Sequence, residues 1–233
     1  MDKLFKYIGG KAGHIYKKSK WVFDSVLGDE NDAVKAEYQF GLYMTKDLQK
    51  NNKITRADLL VEIGDKLTKK IKSLHKFNFI KMYSDEVNAF ALPGGFIFMN
   101  SAIINFCDED KDQLAFILAH EMAHVIKGHA FNRLLAEYSI NTISRLVKAT
   151  GLLQTAAKEL TRKFLITHYS RENEFEADEF GVRLMTAAGY QSKGASEFFK
   201  KLEKLNSDKA NYPEYFSSHP NTKARLENIR KLL

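Results

Sequence analysis

Apolar positions from about Asp32 to Leu74 recur three and four residues apart, as in Leu59, Leu60, Ile63, Leu67 and Ile71, which predicts helix over this stretch. The period then shortens. Phe77, Phe79, Ile80 and Met82 predict one strand, and Phe96, Ile97, Phe98 and Met99 a second, entered through the turn Pro93-Gly94-Gly95. Asp108 to Ile126 returns to helix. Leu114, Ile117, Leu118, Met122, Val125 and Ile126 form its apolar stripe, and alanines fill much of the rest. A helix apolar on most sides belongs in an interior. Gly128 is placed to end it. Residues 131–168 read as helix of mixed polarity, 171–188 as a further helix stopped by Gly189, and about 222–233 as a last one. Three to five helices beside a small sheet make a mostly helical α+β domain.

A chain of 233 residues suits one such domain with a sizeable core. The reading divides it into a basic segment, 1–35, packed on or flanking a domain at 36–233. Lys3, Phe5, Lys6, Tyr7, Lys17, Lys18, Trp21 and Phe23 make the segment basic and aromatic, and Gly9, Gly10 and Gly13 interrupt any long helix in it. It reads either as an arm for a membrane surface or as a segment packed on the domain. The 36 basic and 29 acidic residues leave a net charge of +7 spread along the chain. That describes a solvated lysine-rich surface, and no motif points to nucleic acid. No stretch approaches the roughly 20 apolar residues of a membrane span. The start lacks the apolar core of a signal peptide. As given, the chain is expected to be soluble and cytoplasmic, with its oligomeric state open. Cys107 is the only cysteine, so an internal disulfide is excluded and any metal must be held mainly by histidine and carboxylate.

The sharpest chemical feature is His120-Glu121-Met122-Ala123-His124. On a helix, positions four apart share a face, so two imidazoles can reach one ion. Catalytic zinc takes three protein ligands and leaves a fourth position for water. Glu121 stands beside the pair, where a carboxylate can take that water's proton. Two buried histidines and a glutamate without a metal would leave polar groups in need of partners. A third ligand is required. Glu174, in Glu174-Phe175-Glu176-Ala177-Asp178, is the candidate; Glu172 and Glu176 rival it on spacing. Glu174 and Asp178 share a helix face, which lets Asp178 support a ligand histidine. His129 follows the motif at a spacing unsuited to a ligand and reads as structural or exposed. His14, His75 and His168 have no motif around them.

Together these residues resemble the M48 peptidases, the group of the CAAX prenyl endopeptidases, the bacterial HtpX proteases and the mitochondrial overlapping-activity metalloprotease. Asn88-Ala89-Phe90-Ala91-Leu92-Pro93-Gly94-Gly95 looks like that family's NAFALPGG segment, and Phe96 to Asn100 like the strand after it. The run Ser170 to Asp178 looks like its third-ligand helix, and Ser218-His219-Pro220 with Arg225 like its C-terminal His-Pro motif. Glu37-Tyr38-Gln39-Phe40-Gly41 resembles, more weakly, the opening segment. The matches cover about residues 88–225 in the family's order.

The resemblance implies a gluzincin-type zincin domain with a small mixed sheet and one Zn2+ per chain, held by His120, His124 and Glu174. Glu121 would be the general base, and the substrate a polypeptide in extended or unfolded form. Gly95, Phe96, Ile97, Phe98, Met99 and Asn100 would supply an edge strand for main-chain pairing with it. His219 and Arg225 would stabilise the oxyanion. His219 also admits a latent arrangement in which it fills the open zinc position. The prenyl endopeptidases and HtpX carry spanning helices, and residues 131–168 stand where HtpX-like members insert them. Here charged residues interrupt that stretch, and a soluble helical excursion that shapes or covers the cleft is expected instead. Two other readings stand beside the peptidase: a different zinc hydrolase on this scaffold, and a non-catalytic protein that keeps the metal site.

Overall fold

The structure, a computed structural model, describes residues 30–138, 142, 143, 145, 146, 150–206, 219, 220 and 222–233. The basic segment up to position 29 lies outside the described residues. The boundary expected between 35 and 36 falls inside the first helix, α1 (Glu30–Asn51). The elements that follow are β1 (Ile54–Arg56), α2 (Asp58–Thr68), β2 (Asn78–Met82), β3 (Ala89–Leu92), β4 (Phe96–Asn100) and α3 (Ser101–Phe106). After these come α4 (Lys111–Ile126), α5 (His129–Glu137), α6 (Thr150–Ile166), α7 (Arg171–Ala187), α8 (Lys193–Asn206) and α9 (Thr222–Arg230).

The uninterrupted helical stretch expected from Asp32 to Leu74 is therefore two helices with a strand between them. Asn51 ends α1, and the Asn52 side chain donates to the Leu48 carbonyl at 2.9 Å. Asparagine bonds the local backbone readily and so favours turns over helix continuation. The chain then leaves as β1 to pair with β2. Among the described residues more helices form than the three to five expected, because the stretches 32–74 and 131–168 each yield two helices and α3 and α8 add two more.

The sheet has the order β1-β2-β4-β3. β1 and β2 are antiparallel, β2 and β4 parallel, and β4 and β3 antiparallel, which makes it mixed. The expectation that Phe96–Asn100 offers a free edge is corrected: β4 is paired on both sides, with Phe98 opposite Ile80 of β2 and Phe90 of β3. Its main-chain groups are taken up within the sheet. The outer strand on that side is β3, and all four of its residues are buried. The β4 side chains are buried throughout because the sheet is covered on both faces, which also explains their lack of polar alternation. Ile97 and Met99 pack into one core with α2, α4, α7 and α8. Phe96 and Phe98 pack into another with Phe40 and Met44 of α1, Phe131 of α5, and Leu160 and Phe164 of α6. The excursion after α5 thus returns as a packed layer on α1. Among the described residues no helix is long and apolar enough to cross a membrane.

Helix α4 runs through the first core. Asp110 caps it, accepting from the Asp112 and Gln113 amides at 3.0 and 2.9 Å. Every residue from Gln113 to Val125 is buried. Burial of each large aliphatic or aromatic side chain there contributes about 1.5–3 kcal/mol. Helix α7 lies against α4 with Glu174, Ala177, Asp178 and Gly181 inward, the spacing of one helical face. A Cβ at Gly181 would stand 3.2 Å from the His120 amide nitrogen, so the two backbones approach closely at that point. Gly181→Val is expected to force α7 outward and to lower stability by about 1–3 kcal/mol, read as a shift of the urea midpoint at constant slope.

Candidate metal centre

Two buried helices meeting along polar faces must satisfy those polar groups between them. His120, Glu121 and His124 come from α4, Glu174 and Asp178 from α7, and Arg225 from α9, with His219 just before that helix; all seven are fully buried. Ser170 caps α7 by accepting from the Asn173 amide at 3.2 Å, and Glu172 and Glu174 lie in its first turn. Acidic side chains are favoured there by the helix dipole. Four residues later Asp178 presents a second carboxylate on the same face.

The Nε2 atoms of His120 and His124 lie 3.1 Å apart. Glu174 approaches both, its oxygens 3.6 Å from His120 Nε2 and 3.4 Å from His124 Nε2. His219 Nδ1 lies 3.0 Å from Glu174, and its Nε2 lies 3.3 Å from Glu121. Behind the cluster, His120 Nδ1 sits 2.9 Å from Asp178 Oδ1. Arg225 donates to both Asp178 oxygens, at 2.8 and 2.6 Å, and meets Glu174 through Nη1 at 2.5 Å.

These contacts set protonation. An ionised carboxylate only accepts, so the Asp178 contact takes a His120 proton on Nδ1, and in the neutral ring that leaves Nε2 bare. Burial pushes His124 well below the usual histidine range, against the opposing pull of Glu174, which favours its neutral ring. Burial alone would raise Glu174, but Arg225 and His219 outweigh it and hold the carboxyl well below its ordinary value. Asp178 is lowered likewise, with burial overcome by Arg225 and His120. For His219 burial acts downward, and Glu174 and Glu121 together raise it.

Ligand atoms of His120, His124, Glu174 and His219 all fall within 4.8 Å of one another, a spread one cation can bridge. Both oxygens of Glu121 are buried and accept no hydrogen bond from the described residues. A carboxylate in that state is costly unless a cation or water completes its surroundings. Neutral imidazole nitrogens, carboxylate oxygens and no thiolate make a donor set suited to a first-row divalent metal. Cys107 stands apart, buried, its thiol pushed up to about 12 by that burial.

The residues singled out in the zinc motif, the third-ligand helix and the His-Pro motif thus come together. The rivals of Glu174 do not: Glu172 is exposed, and Glu176 turns to His129 at 3.2 Å and Lys127 at 2.8 Å. His129 is buried rather than exposed. Arg225 faces Asp178 and Glu174, which argues against a guanidinium aimed at an oxyanion. Asn100 is spent on the loop before β3, donating to the Glu86 carbonyl at 3.1 Å. Tyr169 carried no signal in the sequence beyond preceding the Ser170 cap. Its ring stacks on His124 with centroids 3.7 Å apart and planes 9° from parallel. Arg133 covers that ring in turn and donates to the Phe164 and Thr167 carbonyls.

Comparison with known proteins agrees with this geometry. The family model described as "Peptidase family M48" matches residues 55–233. The chain is 29% identical to the beta-barrel assembly-enhancing protease of Escherichia coli (strain K12) over 216 residues, 83% of this chain and 43% of that protein. It is 33% identical to the mitochondrial metalloendopeptidase OMA1 of Saccharomyces cerevisiae over 151 residues, 63% of this chain and 43% of the relative. To the mitochondrial metalloendopeptidase OMA1 of Bos taurus it is 26% identical over 230 residues, 89% of this chain and again 43% of the relative. The chain spans less than half the length of these relatives.

Two outcomes are expected of the metal-free protein. Arg225→Ala leaves Glu174 and Asp178 buried without their cation and should cost about 3–5 kcal/mol in urea denaturation. Glu176 is lowered from 4.5 to about 2 by hydrogen bonding from His129, helped by Lys127 and opposed by burial. A depressed carboxyl stabilises fully above its unfolded value and loses that contribution as pH falls. Glu176→Gln should therefore flatten the acid limb of stability between about pH 4.5 and 2 without steepening it at neutral pH.

Proposed function

The chain belongs to peptidase family M48, and on that footing we propose that it is a zinc-dependent endopeptidase acting on extended or unfolded polypeptide segments. The observation that carries the reading is the pair of imidazole Nε2 atoms 3.1 Å apart, with Glu174 beside them and the buried Glu121 carboxylate lacking a hydrogen bond. His120, His124 and Glu174 are the proposed ligands. Zinc, when bound, supplies a Lewis acid that polarises a carbonyl and makes water acidic near neutral pH. Glu121 takes the proton from the attacking water and passes it to the leaving amine. Asp178 keeps the His120 proton on Nδ1. Arg225 positions Asp178 and Glu174 rather than donating to the reacting carbonyl. The names of the relatives, a protease and two metalloendopeptidases, support the reaction class.

Since β4 is internal, the strand edge we assign to an incoming peptide is the outer edge of β3, Ala89–Leu92, which packs beside α4. Main-chain pairing there would give little sequence preference. Every residue of β3 and of the centre is buried, which supports a second element of the reading: the described conformation is a closed form. His219, between Glu121 and Glu174, is positioned either to donate to an oxyanion or to occupy a coordination place in that form.

Casein cleavage that stops on chelation, and falls by about 10²–10⁴-fold in Glu121→Gln, is the expected result. One equivalent of bound zinc with no cleavage of any peptide would instead mark a metal-binding protein without catalysis. His219→Ala separates the two roles of that residue. A rise in basal cleavage indicates release of a latch; a fall with little change in KM indicates a lost oxyanion donor. Unchanged zinc coordination and activity would remove both.

A further inference from the structure

Helix α4 ends at Lys127, and Gly128 adopts φ +72°, a left-handed conformation that L side chains enter at a cost. On an unbroken helix, residues 124 and 129 would point about 140° apart. The break at Gly128 starts α5 on a new axis and swings His129 back over the end of α4. Its ring centroid lies 5.2 Å from that of His124, with Nδ1 facing Nδ1 at 3.0 Å. The other side of His129 reaches α7, where Nε2 meets Glu176 Oε2 at 3.2 Å. Lys127 Nζ holds the second Glu176 oxygen at 2.8 Å. His129 is 2% exposed, so its ring is shielded from water, while the Glu176 carboxylate keeps partial solvent contact.

The donor and acceptor roles along this line follow from one end. Glu176, paired with Lys127, only accepts. His129 must then carry a proton on Nε2, and in its neutral form its Nδ1 is bare. A cation shared by the Nε2 atoms of His120 and His124, 3.1 Å apart, needs both of them bare, and His124 meets that need and the bare His129 nitrogen together by carrying its proton on Nδ1 and donating it there. That leaves His124 Nε2 bare and aimed at the cluster. We infer that His129 is a positioning residue for His124, relaying the Glu176 carboxylate so that His124 is held in the one tautomer and ring orientation able to bind a metal. The inference rests on the metal-centre reading above and adds a residue that the zinc motif does not contain. It also makes the two ligand histidines equivalent in logic and different in wiring. Asp178 backs His120 directly, Glu176 backs His124 through a second imidazole, and both carboxylates stand on α7. Outer partners of this kind orient a ligand and raise its basicity, and their loss costs about 10–100-fold in metal affinity.

The first measurement is made on the zinc-loaded protein. Nitrogen–nitrogen couplings across the hydrogen bond should link a His124 Nδ1–H to a bare His129 Nδ1, and His129→Ala should abolish them. The second is zinc affinity by competition with a chromophoric chelator. His129→Ala and Glu176→Gln should each weaken binding by about 10–100-fold, with the double variant no weaker than His129→Ala alone. His129→Gln can accept and donate at similar positions and should recover part of the loss, which a purely structural role would not produce. Should His129→Ala fail to fold, Glu176→Gln and His129→Gln carry the same comparison. No coupling between His124 Nδ1 and His129 in the zinc-loaded parent, zinc affinity within twofold of the parent in both single variants, or strictly additive effects would falsify the relay. A parent that binds no zinc overturns the metal-centre reading together with it, whereas a parent that binds zinc indifferently to these variants overturns the relay alone.

Discussion

Arg225 is a guanidinium buried between two carboxylates, and the arrangement of the centre depends on it. Glu174 and Asp178 project from the face of α7 that packs on α4, where neither could stay ionised without a counter-charge. Arginine meets the need geometrically, because its planar fork spans both Asp178 oxygens while Nη1 reaches Glu174. A lysine would offer a point charge and lose the fork. Three elements distant in sequence are tied by this one side chain. With the imidazoles neutral, Glu121, Glu174, Asp178 and Arg225 leave a formal charge of −2, which a divalent cation cancels.

Much of this was legible in the chain because its signals are local. The buried character of α4 follows from Leu114, Ile117, Leu118, Met122 and Val125, and the pairing of His120 with His124 follows from helical geometry alone. Glu174 and Asp178 share a face for the same reason. What could not be read was non-local. The long apolar run Phe96–Met99 announces a strand buried on both faces, but its place between β2 and β3 depends on which strands flank it, and β3 is short enough to escape periodicity. Helix α8 had a readable pattern in Ala195, Phe198, Phe199 and Leu202, all buried at helical spacing, yet its charged remainder obscures it. His129 illustrates the limit best. Its spacing from His124 rules out a shared helix face, and only the left-handed Gly128 restores the encounter.

Tyr169 was invisible for another reason. A lone tyrosine before a helix cap has no pattern, and its position follows from two packing layers meeting. Arg133 of α5 is pinned to carbonyls at the end of α6, and Tyr169, on the short link from α6 to α7, is clamped between that guanidinium and the His124 ring. The second hydrophobic core thereby touches the metal centre through a single aromatic ring. The α5–α6 layer thus bears on the flat face of His124, while the edge of the same ring meets His129 through its Nδ1. An imidazole held on face and edge has little freedom to turn, which suits it to the metal role proposed above.

Rigidity and enclosure pull in opposite directions. A dry centre strengthens each electrostatic contact among Glu121, Glu174, His219 and Arg225, because little water screens them. The same dryness excludes a peptide, since the outer strand and every polar group of the cluster lack solvent contact. On the closed-form reading proposed above, cleavage of a polypeptide draws on a less populated open form. A closed form favoured by about 2.7 kcal/mol leaves about one molecule in a hundred open, and apparent substrate affinity falls by that fraction. Any partner or surface that binds only the open form regains that factor without touching the metal ligands. His219 is the member of the centre that belongs to neither α4 nor α7. It meets the cluster at Glu174 and Glu121 and accepts through its carbonyl from Arg225 at 3.4 Å, so its placement is tied to the same clamp.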